Sequence, residues 1–410
     1  MRLLYTLSIR LYIVAVHIAS WFEPRAKKWL RGRKNLFSNL KSFAEGSQPL
    51  AWFHCASLGE FEQGRPVIEA FKNQNPHYRI LLSFFSPSGF EVRKNYIHAD
   101  HVCYLPADTP FNAHKFIDMV KPGLVVFVKY EYWLNFIDEI TKRDVPLYVL
   151  SANFRPDQFF FMWYGKWFLK RLKKITRFFV QNRQSADLLA KHGINQVTIS
   201  GDTRFDRVAA IANEKSGLPL IEAFIAGHDE VIVAGSTWQA DETLLAKLFK
   251  ENPGKFKLIM APHQVHEAHI KALEELFPGL TVRYSELQQN MVVQRPVLII
   301  DSIGMLSKLY RFGRYAYVGG GFGAGIHNVL EAAVYGIPVI FGPNHQKFTE
   351  ALELIAGGGA FGIRDYNGLA KAFDHLASNS NWQQSARAAR DHVNQRTGAT
   401  EKVMEWIGVS

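Results

Sequence analysis

The stretch that decides the fold is "YVGGGFGAGIHNVLEAAVYGIPVIFGP" (Tyr317–Pro343). An apolar run enters a loop that has five glycines in seven positions, and a helical pattern follows before a second apolar run. A strand, a glycine-rich loop, a helix and a strand in this order are typical of a parallel βαβ unit. The stretch therefore predicts bare backbone amides at the carboxyl end of a buried strand.

The polar residues behind this loop indicate an anion pocket. Backbone N–H groups of a glycine-rich loop can approach an anion, and a helix N-terminus carries partial positive charge. Asn328 can cap the helix, and His327 and Glu331, four residues apart, share a helix face. We interpret the stretch as a site for a nucleotide mono- or diphosphate. The spacing matches neither the dinucleotide fingerprint nor a P-loop, and a turn built for tight packing is the alternative.

The rest of the chain repeats an alternation of apolar strands and amphipathic helices, which predicts parallel sheets covered on both faces. The series runs from "PLAWFHCASLG" to "QVTISGD" and restarts at "EVIVAGSTW". We predict an α/β protein with two Rossmann-like domains that face a cleft, where ligands bind beyond the strand ends. The predicted segments are an N-terminal anchor at 1–33, a domain at 34–210, a linker at 211–228 and a domain at 229–410, whose last helix is able to pack back on the first domain.

Composition narrows the class of partner. The chain has 48 Lys and Arg against 37 Asp and Glu, a formal charge of +11, which indicates an acidic partner such as phosphate, nucleotide, nucleic acid or anionic lipid. The only two cysteines, Cys55 and Cys103, have no metal-type spacing and make a disulfide framework improbable.

The N-terminus predicts a membrane anchor. Leu3–Phe22 is apolar apart from Arg10 and His17, and six basic residues follow within Arg25–Lys34. No small-residue cleavage site follows the apolar run, which argues against a signal peptide. The length suffices to span a bilayer, whereas Arg10 favours a helix that lies in the interface. Either arrangement predicts that the basic cluster and the rest of the chain are cytoplasmic. A core helix of a soluble protein is the alternative to an anchor.

Three charged residues of the first half are candidates for chemistry. Glu60 opens a helix in "SLGEFEQ", either as a first-turn acid or as a general base. Glu131 follows a strand in "FVKYEYW", either as a solvated loop residue or as a cleft residue. Arg204 in "SGDTRFDR" either binds a phosphate or carboxylate or pairs with Asp202 or Asp206.

Metal and lipid signals are weaker. His263, His266 and Glu267 hint at a metal, but a third convincing ligand is absent from the pattern and the chain has no Asp-x-Asp. The aromatic and basic segment "DQFFFMWYGKWFLKRLKKITRFF" suits a lipid surface or single-stranded nucleic acid. A helix with one face in the core explains it equally well.

Together these motifs resemble the Kdo transferases, which add 3-deoxy-D-manno-oct-2-ulosonic acid (Kdo) to lipid A precursors in Gram-negative bacteria. The resemblance covers nearly the whole chain. It rests on "ASLGE", "YEYWLN", "SANFR", "SGDTRFD", "AGSTW" and, most specifically, "HNVLEAAVYGIPVIFGPN".

This resemblance implies a GT-B fold and an inverting, metal-independent transfer from CMP-Kdo to the lipid A precursor lipid IVA, at the cytoplasmic side of the inner membrane in lipopolysaccharide core biosynthesis. Glu60 matches the general base, and Glu131 and Arg204 match positions that support the transition state. No cofactor and no nucleic-acid partner are expected. The implied substrate-binding residues are Pro262, His263, Ile303, Gly304, Met305, Gly321, Gly323, His327, Asn328, Val329, Leu330 and Glu331.

The sequence departs from the family pattern at two positions of the nucleotide site. His263 stands where the family has Arg, and Ala332 stands where it has Pro. A UDP-sugar transferase or a UDP-sugar 2-epimerase of the same fold is the alternative enzyme. A non-catalytic, membrane-bound binder of lipid or nucleic acid is the alternative from another class.

Overall fold

The computed structural model describes residues 2–214, 217–288 and 294–408 and contains two parallel seven-stranded sheets. The chain divides into one unit formed by Met1–Arg207 with Thr397–Ser410 and a second formed by Val208–Arg396. Each unit contains one sheet. The α/β class predicted from the alternating pattern is confirmed. The predicted domain boundaries stay a prediction.

The sheet of the first unit has the strand order β3-β2-β1-β4-β5-β6-β7, and every neighbouring pair is parallel. Helices cover its two faces, so the central strands are apolar and buried along their whole length. The strands are β1 (Leu50–Cys55), β2 (Arg79–Phe84), β3 (His101–Tyr104), β4 (Leu124–Val128), β5 (Leu147–Ala152), β6 (Arg177–Val180) and β7 (Val197–Ile199).

The helices of this unit begin at recognisable caps. Ser86 and Thr109 accept a backbone N–H of the first turn and are each followed by proline, as expected at a helix start. The helices are α1 (Arg2–Ala19), α2 (Pro24–Arg31), α3 (Leu36–Ala44), α4 (Leu58–Gln74), α5 (Pro87–Arg93), α6 (Pro110–Val120), α7 (Leu134–Lys142), α8 (Lys166–Leu172), α9 (Arg183–Lys191) and α10 (Thr203–Asn213), which continues into the second unit.

The sheet of the second unit has the order β10-β11-β9-β8-β12-β13-β14 and is also wholly parallel. Its strands are β8 (Val231–Thr237), β9 (Lys257–Pro262), β10 (Thr281–Arg283), β11 (Val297–Ile299), β12 (Tyr315–Val318), β13 (Val339–Phe341) and β14 (Ala360–Gly362). Its helices are α11 (Pro219–Ile225), α12 (Gln239–Glu251), α13 (Glu267–Leu276), α14 (Leu306–Leu309), α15 (Leu330–Ala333), α16 (Thr349–Ala356), α17 (Tyr366–Ala377) and α18 (Asn379–Asn394).

Two features of this unit differ from expectation. The predicted linker 211–228 contains the end of α10 and all of α11, where Ile221 and Phe224 are buried. Gly217 and Pro219 made the segment look irregular, but Pro219 occupies the first helical turn, where proline is tolerated. Strand β14 was not predicted, because three residues ending in glycine show no clear alternation.

The N-terminal helix α1 lies against the first unit with one side. The Tyr5 hydroxyl donates to Asp108 Oδ2 at 2.6 Å, and the Tyr12 ring contacts Trp29 and Phe85. The rest of α1 is exposed, and none of its residues is fully buried. By length and composition it is the one helix, among the described residues, that is able to cross a membrane.

The last helix, α19 (Ala399–Ile407), packs on the first unit. Val403, Met404 and Ile407 are buried in the core that includes α4 and β1. Asp206 fixes the start of α19, because its Oδ1 and Oδ2 accept the N–H groups of Gly398 and Thr400, both at 2.6 Å.

We therefore expect Asp206→Ala to lower the free energy of unfolding of the first unit by about 1–3 kcal/mol, because two donors lose a charged acceptor. Asp187→Ala is the matched control, since its exposed ion pair with Arg183 contributes about 1 kcal/mol or less. Thermal and urea unfolding, followed by circular dichroism, measure both. Equal effects of the two substitutions would contradict the assigned role of Asp206.

Candidate active site

The loops at the carboxyl ends of both sheets contain strained backbone. Five non-glycine residues in the described part of the chain have positive φ, and three of them end or follow strands: Lys129 (φ 70°) after β4, Ser151 (φ 50°) in β5 and Ser236 (φ 53°) in β8. Such conformations cost about 1–3 kcal/mol each and concentrate at functional sites. Ligands of parallel α/β sheets bind at this edge.

Glu60 lies in the first turn of α4 and forms a capping box with Ser57. The Ser57 N–H donates to Glu60 Oε2 at 3.1 Å, and the Ser57 hydroxyl donates to the same oxygen. Within the described residues Oε1 has no hydrogen-bond partner, and the side chain is half-buried. Glu60 is therefore a helix-capping acid that keeps one oxygen available, so the two roles considered for it are compatible.

Glu131 is buried in the loop after β4. In the sheet, β1 separates β4 from β2, the strand that contains Ser83. Its Oε2 accepts the indole N–H of Trp133 at 2.6 Å and lies 3.0 Å from His54 Nε2. The exposed fraction of Glu131 is 9%, so it is not the solvated loop residue considered as an alternative.

His54, in β1, connects Glu131 to the interior of the sheet. Its Nδ1 lies 2.8 Å from Ser83 Oγ, and that hydroxyl accepts the indole N–H of Trp52 at 2.7 Å. Since Ser83 Oγ already accepts from Trp52, it can donate its own proton to Nδ1, which leaves Nε2–H to donate to Glu131. In this arrangement each ring nitrogen of His54 has a hydrogen-bond partner, and Ser83 Oγ both accepts and donates.

Cys55 is fully buried in the neighbourhood of both glutamates. Burial raises the pKa of the Cys55 thiol well above its usual range, and the charges of Glu60 and Glu131 raise it further. The thiol is therefore protonated and inert at neutral pH, and it packs in the apolar core below the two carboxylates.

Arg204 lies at the start of α10 and forms an ion pair with the buried Asp202, whose Oδ2 it contacts at 2.7 Å through Nη2. The Asp202 pairing considered from the sequence is therefore present. Thr203 hydrogen-bonds the carbonyl of Gln63 in α4, and its hydroxyl lies 3.1 Å from Ser151 Oγ. These contacts hold the start of α10 beside α4, the helix that carries Glu60.

In the second unit the glycine loop follows β12, and its first glycines are needed for close packing. A Cβ on Gly319 would lie 2.4 Å from the Ser236 carbonyl, and a Cβ on Gly321 would lie 2.6 Å from the Gly342 backbone. Gly320 has φ 90°. The packing explanation is thus correct for these glycines, whereas Gly323 is exposed and has no such neighbour.

Asp241, buried in the first turn of α12, fixes this loop. Its Oδ2 accepts the N–H of Gly320 at 3.0 Å and that of Trp238 at 2.9 Å, and its Oδ1 accepts the Tyr317 hydroxyl at 2.8 Å. One carboxylate therefore joins the ends of β8 and β12 to α12. Burial and the Asp241 charge raise the pKa of Tyr317 well above its usual range, which keeps this phenol a donor.

The loop leaves several amides available to a ligand. Within the described residues the backbone N–H groups of Gly321, Phe322 and Ala324 donate to no protein acceptor, and neither do those of Asn328 and Val329. Successive free amides in a turn form a concave anion site. In the part of the chain that the structure describes, the loop therefore presents unpaired backbone donors of the kind that suit an anion.

The helix behind the loop is shorter than the sequence suggests. It comprises only Leu330–Ala333, so His327 precedes it and does not share a helix face with Glu331. Asn328 pairs with Glu331 instead, its Nδ2 donating to Glu331 Oε1 at 3.0 Å, and its Oδ1 accepts the Leu330 N–H at 3.2 Å. A four-residue helix has little macrodipole, so the positive charge predicted at its start comes from the N–H groups of Asn328 and Val329, which are unpaired within the described residues.

His327 belongs to a stack of three rings at the ends of β8, β9 and β12. The His263 ring stacks on Trp238 with centroids 4.5 Å apart and on His327 with centroids 4.7 Å apart. Burial, followed by the proximity of His263, lowers the pKa of His327. The imidazole of His327 is therefore neutral at pH 7, and the stack offers an aromatic surface.

The other predicted contacts lie at the same edge of the sheet. Pro262 is buried at the end of β9. Ile303–Met305 follow β11, where the Ile303 side chain is 87% exposed and Gly304 has φ 99°. No hydrogen bond or ring contact joins Ile303–Met305 to the other predicted residues within the described part of the chain.

The residues considered for a metal are not assembled. His266 caps α13 by accepting the His269 N–H at 3.2 Å, and Glu267 pairs with Arg283 at 2.9 Å, whereas His263 belongs to the ring stack. Among the described residues no group of three His, Cys, Asp or Glu side chains is arranged to hold a metal ion.

Sequence reasoning missed the residues that hold the candidates in place: His54, Ser83, Trp133 and Asp241. Three of them have a weak local signal. His54 and Ser83 are polar residues inside otherwise apolar strands, and Asp241 is an acid three residues after the N-cap Trp238, the position of a capping-box acid. Their partners are distant in sequence, so only the fold reveals them.

Two parallel Rossmann-like sheets, one in each unit, make this an α/β protein with a GT-B-like fold. The chain resembles, with a TM-score of 0.62 and 15% identity, a UDP-GlcNAc 2-epimerase from Neisseria meningitidis, over 87% of this chain and 98% of that one. It resembles a glycosyltransferase from Rickettsia africae with a TM-score of 0.57 and 14% identity, over 88% and 98% of the two chains. At these identities the likeness concerns the fold alone.

Sequence comparison gives a narrower likeness. A model described as 3-deoxy-D-manno-octulosonic-acid transferase matches residues 30–207. The chain is 29% identical to the 3-deoxy-D-manno-octulosonic acid transferase of Aquifex aeolicus over 80% of this chain and 86% of that protein. It is 24% identical to the 3-deoxy-D-manno-octulosonic acid transferase of Haemophilus influenzae over 97% of this chain and 95% of that protein. The chain is therefore similar to Kdo transferases along nearly its whole length.

The role of Asp241 generates a prediction. We expect Asp241→Ala to lower the free energy of unfolding of the second unit by about 2–5 kcal/mol, because three donors lose a buried acceptor. Amide hydrogen exchange in residues 319–325 should accelerate most. Asp365→Ala is the control, since this exposed residue caps α17 through one bond to the Gly368 N–H; it should leave exchange in the loop unchanged. If amide hydrogen exchange in residues 319–325 of Asp241→Ala were as slow as in the wild type, the role assigned to Asp241 would be contradicted.

Proposed function

We propose that the chain transfers Kdo from CMP-Kdo to a sugar hydroxyl of the lipid A precursor lipid IVA, in lipopolysaccharide core biosynthesis. Similarity to the Kdo transferases supports the sugar and the class of acceptor. The observation that carries the mechanism is the half-buried Glu60 carboxylate, which Ser57 holds by one oxygen while the other is unpaired within the described residues. Such a group is suited to act as a general base.

Proton removal by Glu60 is the first part of the mechanism. The acceptor hydroxyl donates its proton to Oε1, while two hydrogen bonds from Ser57 fix the carboxylate through Oε2. A base of ordinary strength suffices, because the carbon under attack has oxocarbenium character and is strongly electrophilic. Direct attack on that carbon, opposite the leaving phosphate, inverts its configuration.

The departing CMP is an anion, and its growing charge needs donors. We assign this role to the free amides of Gly321, Phe322 and Ala324, together with those of Asn328 and Val329. Backbone amides held by the fold stabilise such charge without reorganisation during the reaction. They supply the charge stabilisation that a divalent cation gives other nucleotide-sugar enzymes, so the proposed reaction requires no metal. The Trp238–His263 stack offers a surface for the cytosine ring.

Glu131 and Arg204 complete the proposed site of the first unit. His54 and Trp133 fix the Glu131 carboxylate, which stabilises positive charge on the Kdo ring in the transition state. Arg204 is held by Asp202 and pairs with the Kdo carboxylate. Arginine in place of the family's lysine allows a bidentate contact with that carboxylate while the Asp202 pair persists.

The proposed location is the cytoplasmic side of the inner membrane. The exposed apolar side chains of α1 and the basic residues of α2 support it, because apolar burial and attraction to anionic lipids add. Anchoring keeps the enzyme at the surface that contains its acceptor.

The test is mass spectrometry of lipid IVA after incubation with the full chain and CMP-Kdo. We expect the acceptor mass to increase by one or more Kdo units, and UDP-GlcNAc to give no product. Unchanged lipid IVA with CMP-Kdo, or transfer from UDP-GlcNAc, would contradict the proposed donor.

Glu60→Gln tests the base. The amide retains the size of the side chain but accepts no proton, so kcat should fall by about 10²–10⁴ while CMP affinity stays within about twofold. Glu62→Gln is the control, because this acid of the same helix pairs with Arg93 at 2.8 Å; its kcat should remain near that of the wild type. Normal turnover by Glu60→Gln refutes the assignment.

A further inference from the structure

A cavity of about 460 Å³ lies between the N-terminal helices α1, α2 and α3 and the loop that follows β3. The mechanism above does not use it. Its walls combine isoleucine, leucine and phenylalanine side chains with four basic residues: His17, Arg31, Arg33 and Lys34. No aspartate or glutamate lines it among the described residues. An apolar cavity with basic groups and no acid is complementary to an amphipathic anion.

Arg33 is a cation without a counterion. Its guanidinium donates to the carbonyls of Leu105 at 2.8 Å, Phe85 at 2.7 Å and Trp29 at 3.1 Å, and to no carboxylate within the described residues. Burial lowers the pKa of Arg33 to about 9, so the group remains charged at neutral pH. A partly buried, unpaired charge is costly, and an anion in the cavity removes that cost.

Trp29 provides a second unsatisfied donor. Its ring is buried, it lines the cavity, and its indole N–H has no hydrogen-bond partner in the described part of the chain. A buried donor without a partner costs about 1–3 kcal/mol. A phosphate or carbonyl oxygen of a bound molecule would satisfy it.

The cavity is connected to the candidate active site by aromatic rings. The Trp29 and Phe85 centroids are 5.6 Å apart, and those of Phe85 and Trp133 are 4.7 Å apart. The Trp133 indole donates to Glu131. Three adjacent rings, Trp29, Phe85 and Trp133, therefore join the cavity to Glu131. This connection favours a substrate over an unrelated lipid as the occupant.

The helix that forms one wall also presents an apolar surface. Leu7, Leu11 and Ile18 of α1 are each more than half exposed, whereas Ile13 and His17 line the cavity. Acyl chains of a molecule held in the cavity can thus extend along apolar side chains.

We propose that this cavity is a binding site for the phosphorylated, acylated end of the glycolipid acceptor. The inference rests on the proposed function for the identity of the acceptor. Arg31 and Lys34 contact its phosphate, the Trp29 N–H donates to it, Arg33 balances its charge, and the apolar wall receives the acyl chains.

The experiment compares two charge-reversed variants of the full chain in non-ionic detergent micelles. Arg31→Glu/Lys34→Glu changes two cavity residues. Lys27→Glu/Lys28→Glu, the control, makes the same change of charge on exposed residues of α2 outside the cavity, and Lys28 shares the last turn with Arg31. Each is assayed with lipid IVA and with its enzymatically dephosphorylated form.

We expect Arg31→Glu/Lys34→Glu to raise the KM for lipid IVA at least about tenfold, the loss of one to two charge-assisted hydrogen bonds. The KM for CMP-Kdo and the kcat at saturation should remain unchanged. For the dephosphorylated acceptor, the KM of the wild type should be as high as the KM of Arg31→Glu/Lys34→Glu for lipid IVA. The KM of this variant should be nearly the same for both acceptors. The control should keep the wild-type KM for lipid IVA.

An equal rise of the KM for lipid IVA in the control variant would overturn the proposal, because the effect would then be general attraction of an anionic lipid. Inhibition of Kdo transfer by phosphatidylglycerol at the same concentration as lipid IVA would also overturn it. Equilibrium binding of fluorescent lipid IVA without CMP-Kdo separates the two hypotheses. If the protein transfers no Kdo but its binding of lipid IVA still depends on Arg31 and Lys34, the proposed function is refuted and the cavity site is retained. If Kdo transfer is normal and Arg31→Glu/Lys34→Glu binds lipid IVA as tightly as the control variant, the cavity site alone is refuted.

Discussion

Buried carboxylates that accept several N–H donors hold the functional loops of this protein. In the second unit Asp241 binds the amides of Gly320 and Trp238 and the Tyr317 hydroxyl. In the first unit Glu131 binds Trp133 and His54. Both acids lie where a parallel sheet ends and its loops gather. These bonds fix the two carboxylates and the groups around them, although every bond to Glu131 is made through Oε2. Other groups of the same loops have no protein partner within the described residues and are available to a substrate.

The free groups differ between the two units. The first presents one oxygen of Glu60, and the second presents backbone amides of Gly321 and its neighbours. A carboxylate oxygen accepts a proton, whereas amides stabilise a departing anion, and these are the roles proposed for the two sets in glycosyl transfer. Positive φ at Lys129, Ser151 and Ser236 shows that the fold tolerates strain at these strand ends.

The sequence predicted the strands well, because a central parallel strand such as β4 is a continuous apolar run that needs no partner to be recognised. It also located Glu60, Arg204 and the glycine loop, whose residue types are unusual beside such strands. It did not predict the partners of Glu131 and Asp241, since these bonds join positions distant in the chain. The prediction that His327 and Glu331 share a helix face was wrong, because the helix begins only at Leu330.

The central claim is that free backbone amides of the second unit bind the phosphate of the leaving nucleotide. Isothermal titration of the wild-type chain with CMP and with cytidine tests it most directly. The account predicts that CMP binds at least about tenfold tighter, since charge-assisted hydrogen bonds contribute about 1.5–3 kcal/mol each. Equal affinities for CMP and cytidine would contradict it.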